Sequence, residues 1–232
     1  MKPFFKSYLS KVAHLDLRSL AMFRIGLGLL ILYDLMNRAQ SLRAHYTLDG
    51  VLPRAILVDQ FINKWTFSFH LINDTVLFQC ALFIINAIIA IILILGYQSR
   101  IMSILAWLFL VSLQSRNPFI LQGGDIVFRL SAFWAMFLPL GHFFSIDALI
   151  KKDRPPKHIS SVAAAAFIYQ LGLIYVVAAL LKSHDIWVKD YSAMYYALHL
   201  KQFTKPLGYI LLYFESVLKP LTFFVYHLEL IG

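Results

Sequence analysis

A chain of 232 residues that is 60% hydrophobic and only 14% charged, with a mean hydropathy of +0.71, has too little polar surface to stay dissolved as a globular domain. Its net charge of +9 would suit nucleic acid, but the Lys and Arg residues fall in short segments between apolar runs. That is the pattern of topology signals and anionic-lipid contacts, so the expected partner is the lipid bilayer and not nucleic acid. The single cysteine, Cys80, excludes an intrachain disulfide, a CxxC pair and a cysteine-rich metal site. Within its apolar run it reads as a small buried residue.

Residues 1–14 carry Lys2, Lys6 and Lys11 among Phe4, Phe5, Tyr8 and Leu9, a basic amphipathic lead-in suited to an anionic membrane face. Asp16 is placed to cap the helix that follows. The first apolar run, 17–37, supplies the roughly 20 helical residues that a hydrocarbon core of about 30 Å requires. It carries Arg24 and no small-x-small site follows it, so it reads as a retained span and not a signal peptide. Arg24 reads as a buried structural pair or a snorkelling charge, with a functional charge inside the bundle as the alternative.

Residues 38–74 form a long polar connection containing His45–Arg54, with Tyr46, Asp49 and Gly50. Asp49-Gly50 and Pro53 are turn signals. Phe61–Leu71 reads as a short interfacial helix with Trp65 at headgroup level. Spans two (75–95) and three (101–115) meet at the tight turn Tyr97–Arg100. Then comes a polar hinge: Arg116-Asn117-Pro118, Gly123-Gly124-Asp125 and Arg129. A bilayer tolerates irregular backbone only where protein or trapped water satisfies it, so the hinge lies at an interface or lines a cavity. Asp125 and Arg129, at i, i+4, read as a pair on one helix face. Gly123-Gly124 permits close backbone approach, but the Lys-Ser/Thr ending of a phosphate loop is absent.

Span four (126–141) is short and interrupted by Pro139 and Gly141. The most basic loop, 142–160, precedes span five (161–181), where Ala163–Ala166 permit close helix packing. A tyrosine-rich polar segment, 182–206, leads to span six (207–228), which contains Glu215, Lys219 and Pro220. No internal repeat is visible. The expected fold is all-α: a polytopic transmembrane helical bundle of about six spans, one domain over 1–232.

Putting the N-terminus in the cytoplasm places the strongly basic segments, 1–16 and 142–160, inside together with the Arg100 turn. Segments 38–74, 114–125 and 182–206 then face out, so the motif-rich stretches share the outer face. A site is expected at the outer ends of spans one, three, four and five. Lys182 closes span five. The plainer reading is a snorkelling lysine that marks the boundary. The alternative is a base, because partly apolar surroundings disfavour the charged amine. Trp187 reads as an interfacial anchor. Tyr191, Tyr195, Tyr196 and His199 follow at helical spacing and read as packing or an interface belt. With no HxxxH or HExxH pattern, no metal site is expected.

Four stretches resemble one family: Asp16-x-Arg18-Ser19-Leu20-Ala21-x-Phe23-Arg24; His45-Tyr46-x-x-Asp49-Gly50-Val51-Leu52-Pro53-Arg54; Ser112-Leu113-Gln114-x-Arg116-Asn117-Pro118 with Gly123-Gly124-Asp125 and Arg129; and Phe137-Leu138-Pro139-Leu140-Gly141 with Ser145-x-Asp147. They are similar to the horizontally transferred transmembrane (HTTM) domain family, related to the membrane part of vitamin K-dependent gamma-carboxylase. The segment Lys182–His199 looks like the carboxylase stretch with the catalytic lysine. Aligned on Trp187 and Tyr191-Ser192, it implies Lys182 as the base, reduced vitamin K or another quinone as cofactor, and a secreted peptide or protein as partner. The resemblance also implies a multi-pass protein of the bacterial inner (cell) membrane. Two departures weigh against carboxylation. Pro118 stands where the carboxylase has a histidine, and the chain is expected to lack the family's last spans and its substrate-holding extra-membrane domain. The readings carried forward are a carboxylase-like enzyme and a non-enzymatic lipid- or quinone-binding protein that assists maturation or export of a partner. A channel or transporter has only the broken spans at Pro139 and Pro220 behind it.

Overall fold

The structure is a computed structural model that describes residues 14–61, 65–151, 157–201 and 204–231; the basic lead-in falls outside these, apart from His14. Two compact units are present, Met1–Phe167 and Ile168–Gly232.

The first unit begins with strand β1 (His14–Asp16) and helix α1 (Leu17–Ala39). Asp16 caps α1 as expected, its Oδ1 accepting the Arg18 N–H at 2.7 Å. Arg38 in the last turn complements the helix dipole. Leu17, Leu20, Ala21, Arg24, Leu27, Gly28, Ile31 and Leu35 are buried, a stripe at the three- and four-residue spacing of one helix face. That stripe packs on α4 (Val76–Leu95), whose buried stripe is Gln79, Leu82, Phe83, Asn86, Ile89, Ala90 and Leu93. The outward faces, including Leu29, Leu30, Ile84 and Ile88, are apolar and exposed, as suits helices whose outer solvent is lipid. Between α1 and α4 run the short helices α2 (Leu42–Tyr46) and α3 (Arg54–Gln60) and a 3-10 turn, Phe69–Leu71. Of the short helix expected over 61–71, the described residues form only the 3-10 turn Phe69–Leu71, and residues 62–64 lie outside the described set. Trp65 is exposed. Cys80 is half-buried, not buried.

Helix α4 ends at Gly96, whose φ of 71° is the left-handed C-cap that glycine adopts without strain. Its N–H reaches the Ile92 and Leu93 carbonyls at 2.9 and 3.1 Å. Helix α5 (Ser99–Arg116) packs on α4, and α6 (Gly123–Ala135) packs on α5. With 13 residues, α6 is about 20 Å long, short of a full crossing, and stops before Pro139. Next comes α7 (Ile146–Lys151).

The all-helical expectation is corrected at one place. Strand β2 (His158–Ser160) pairs antiparallel with β1, His14 opposite Ser160 and Asp16 opposite His158. The Leu17 N–H continues the ladder to the Lys157 carbonyl at 3.0 Å. Both segments flank helices, where backbone groups without helical partners must find others.

Helix α8 (Val162–Leu181) passes from the first unit into the second. The second unit continues with α9 (Asp185–Val188), α10 (Ala193–His199), α11 (Pro206–Leu211) and α12 (Glu215–Ile231). The sixth apolar run is thus split at 212–214, and Pro220 lies inside α12. Helix α12 packs on α9 and α10, where buried Thr222 accepts the Met194 N–H at 3.2 Å. Among the described residues three helices, Leu17–Ala39, Val76–Leu95 and Val162–Leu181, are long and apolar enough to cross a membrane, against the six spans expected.

Candidate functional site

The C-terminal end of α1 carries Asp34 and Arg38 one turn apart. The Arg38 Nε is 2.8 Å from both Asp34 oxygens. Its Nη1 donates to the Tyr46 hydroxyl at 3.2 Å and its Nη2 to Asp125 Oδ1 at 2.6 Å. One guanidinium thus joins the first helix, the loop helix α2 and the start of α6. Asp125 also serves its own helix. Its Oδ2 accepts the Gln122 N–H at 2.7 Å, half of a capping box. The expected Asp125–Arg129 pair does not form, because Arg38 takes the carboxylate across the bundle. Arg129 lies half-buried one turn further along α6.

Tyr46 is fully buried, its ring 5.4 Å from Phe83 and 6.0 Å from His70, centroid to centroid. Burial holds its phenol above the ordinary value, against the pull of Arg38. Buried Gln79 donates to the carbonyls of His70 and Asn73 at 3.0 and 2.7 Å, which fixes the orientation of its amide. Gln79 Oε1 therefore accepts, and His70 Nδ1 donates to it at 2.6 Å. Burial depresses the His70 pKa to about 4, with the nearby Arg116 charge acting in the same direction and the Gln79 bond opposing both.

The polar hinge closes over this cluster. Arg116 is fully buried and its Nη1 donates to the Leu52 carbonyl at 3.1 Å. Its Nε and Nη2 have no partner among the described residues. Asn117 donates to the His45 carbonyl at 3.4 Å and accepts from the Phe119 N–H. Pro118 opens a one-turn 3-10 helix, Pro118–Ile120, where its missing N–H costs nothing. Ser112 accepts the Phe69 N–H at 2.7 Å, and Gln114 donates to the Asp125 carbonyl at 3.1 Å. Gly50 turns the loop so tightly that a Cβ would lie 2.8 Å from the Arg43 carbonyl oxygen; Asp49 beside it is exposed. Gly123 and Gly124 meet no such limit, since a Cβ at either has nothing within 4 Å. Above the cluster lies a cavity of about 440 Å³ lined by Asp34, Arg38 and Asp125 together with Asn37, Ser41, His45, Ile120, Gln122 and Gly124. Among these described lining residues only Ile120 has an apolar side chain.

The structure thus brings Tyr46, Arg116, Asn117, Gly124 and Asp125 together. Asp34, Arg38, His70 and Gln79 were not among the sequence candidates. The i, i+4 spacing of Asp34 and Arg38 at the end of an apolar run was the available signal; His70 and Gln79 left none.

Arg24 belongs elsewhere. Fourteen residues before Arg38, it lies about 21 Å away along the helix. It is fully buried and donates to the carbonyls of Leu93, at 3.2 Å, and Phe144, at 2.5 Å. It therefore completes the C-terminal end of α4. At the same end Asp147 accepts from the Gln98 N–H, the Ser99 N–H and the Ser99 hydroxyl, all at 2.8 Å. Burial raises this carboxyl, but the bonds from Ser99 and Gln98 and the Lys151 charge outweigh it, so its pKa lies below the usual range.

Lys182, in the second unit, forms an ion pair with Glu229 and lies 4.6 Å from the centre of the Trp187 ring. Tyr191, at a φ of 50°, packs its ring 5.2 Å from that of Phe223. His199 is exposed, its Nδ1 at 2.8 Å from the Tyr195 carbonyl.

No solved structure matches this chain. The model of the HTTM domain matches residues 13–231, running through both units and nearly the whole chain, and the protein is a member of the HTTM domain family.

Proposed function

We propose that this membrane protein is multi-pass, lies in the bacterial cell membrane with its N-terminus in the cytoplasm, and holds the polar head of a membrane-borne molecule at its outer face. The observation that carries this reading is the Asp34–Arg38–Tyr46–Asp125 cluster beneath a polar cavity. Two carboxylates share one guanidinium, so the cavity has an excess of acceptors and suits a head that donates N–H or O–H bonds. With Ile120 as its one apolar side chain, it suits an ammonium or polyol headgroup better than a quinone ring, which needs apolar walls. The protein then acts by binding, in support of a partner's maturation or export. In neutral detergent, phosphatidylethanolamine should bind saturably and Asp125→Asn should weaken it about tenfold. Equal binding by the variant sinks this reading.

Carboxylase-like catalysis is the second reading. It rests on Lys182, where the resemblance implies the base; the Glu229 carboxylate and the Trp187 ring beside it are partners of a charged ammonium and must release it before the amine can act. The purified protein supplied with vitamin K hydroquinone should then form vitamin K epoxide, and Lys182→Ala should stop it. Absence of epoxide with the unmutated protein removes this reading.

A further inference from the structure

The end of the first unit that holds Arg24 and Asp147 contains a second, larger cavity of about 740 Å³. Its wall is apolar, formed by Met136–Leu140 behind α6 and by Ile159 of β2. Its rim is basic, with Arg100 from the first turn of α5, His142 from the following loop and Lys151 from α7. The three rim side chains are exposed, and of the two permanent cations neither Arg100 nor Lys151 is in an ion pair among the described residues. Asp147 is the one carboxylate among the described lining residues, and its oxygens are engaged within the protein. Its two oxygens accept three hydrogen bonds from Gln98 and Ser99, which pin α7 to the start of α5. What remains open at the rim is positive charge; what remains open below it is hydrocarbon. A free inorganic anion would use the first and leave the second unfilled. An amphipathic anion uses both, and the volume falls in the range of small-molecule sites. The cavity also sits at the end of α1 and α4, helices long enough to cross the membrane, so a lipid reaches it without leaving the interface.

We propose that this cavity binds the phosphate-bearing head of an anionic phospholipid, with Arg100, His142 and Lys151 at the phosphate and Phe137, Leu140 and Ile159 along the beginning of the acyl chains. The site is independent of the polar cavity beside Arg38, which has the opposite charge preference, so either can fail alone.

The test uses the full chain in neutral detergent, titrated with phosphatidylglycerol, phosphatidylcholine and inorganic phosphate and read by intrinsic tryptophan fluorescence and thermal shift. Phosphatidylglycerol should bind saturably, phosphatidylcholine at least about tenfold more weakly, and millimolar inorganic phosphate should not displace the lipid. Arg100→Gln with Lys151→Gln should lower phosphatidylglycerol affinity about 30-fold, each cation near an anionic membrane surface contributing about fivefold. Arg54→Gln, an exposed cation remote from the cavity, should leave it unchanged. Equal affinity for the two lipids, displacement by inorganic phosphate, or full affinity in the double variant overturns the proposal. If the double variant does not fold, salt decides with the unmutated protein: affinity for phosphatidylglycerol must fall as salt rises, and salt-independent binding overturns the proposal equally.

Discussion

Gly96 shows how much one position can carry. Its left-handed backbone ends α4, and the space where a Cβ would stand is filled by the Arg24 guanidinium and by the Ser145 Cβ, 2.4 Å from that point. Any side chain there strains the turn and expels the buried cation from its two carbonyls. Gly96→Ala should lower unfolding stability by about 3 kcal/mol, measured by thermal melting in detergent. His70 makes a prediction about pH. Its folded pKa of about 4 lies below its ordinary 6.5, so the folded state disfavours the imidazolium. The stability it supports is complete above pH 6.5 and is lost as pH falls from there toward 4, amounting to about 3 kcal/mol. His70→Gln should flatten that part of a pH–melting profile. An unchanged slope between those limits in the variant would show that His70 is not its source.

Among elements, three of the six expected spans were legible to within two residues, whereas the fourth ends early at Ala135 and the sixth is split at 212–214. The expected first span, 17–37, is the helix Leu17–Ala39; 75–95 is Val76–Leu95; 161–181 is Val162–Leu181. Hydrocarbon solvation sets these boundaries locally, so hydropathy alone finds them. The β1–β2 pair was not legible, because its strands are three residues each and lie far apart in the chain, leaving no local periodicity. The candidate site was half legible for the same reason. The turn at Gly50 and the hinge from Arg116 to Asp125 announce themselves by residue type. That Arg38 and not Arg129 claims Asp125 is a fact of tertiary packing, which overrides the i, i+4 preference of a few tenths of a kcal/mol. The α4–α5 turn depends on an acceptor from another element in the same way. Asp147→Ala removes the partner of three donors at the start of α5, and a loss of about 2 kcal/mol is expected. Because the folded pKa of Asp147 is lowered, the pH-linked part of that contribution is complete above the carboxyl's ordinary pKa of 3.8 and is lost as pH falls through the lower folded value. The gap between the wild type and Asp147→Ala should therefore narrow only below about pH 3.8, beneath the window assigned to His70.

At the scale of the whole molecule, the orientation is testable with two labels. After Cys80→Ser, a cysteine at Asp49 should react with an impermeant thiol reagent added outside intact cells. A cysteine at Lys157 should react only after the membrane is opened. The same accessibility at both positions would end the outer-face assignment of the Arg38 cavity. Arg24 has a consequence of another kind, in the order of synthesis. Its two acceptors, the carbonyls of Leu93 and Phe144, lie 69 and 120 residues further along the chain. At about 5–20 residues per second, the ribosome needs roughly 6–24 s to supply the second. Until Leu93 is made the first apolar helix holds a cation with neither acceptor, and until Phe144 is made with only one of the two; lipid headgroups are the nearest substitute for what is missing. A nascent chain stopped before Phe144 should therefore hold this helix displaced along its axis toward the side from which Arg24 reaches water. The finished helix arrives at its depth only when the loop that follows Gly141 has been made.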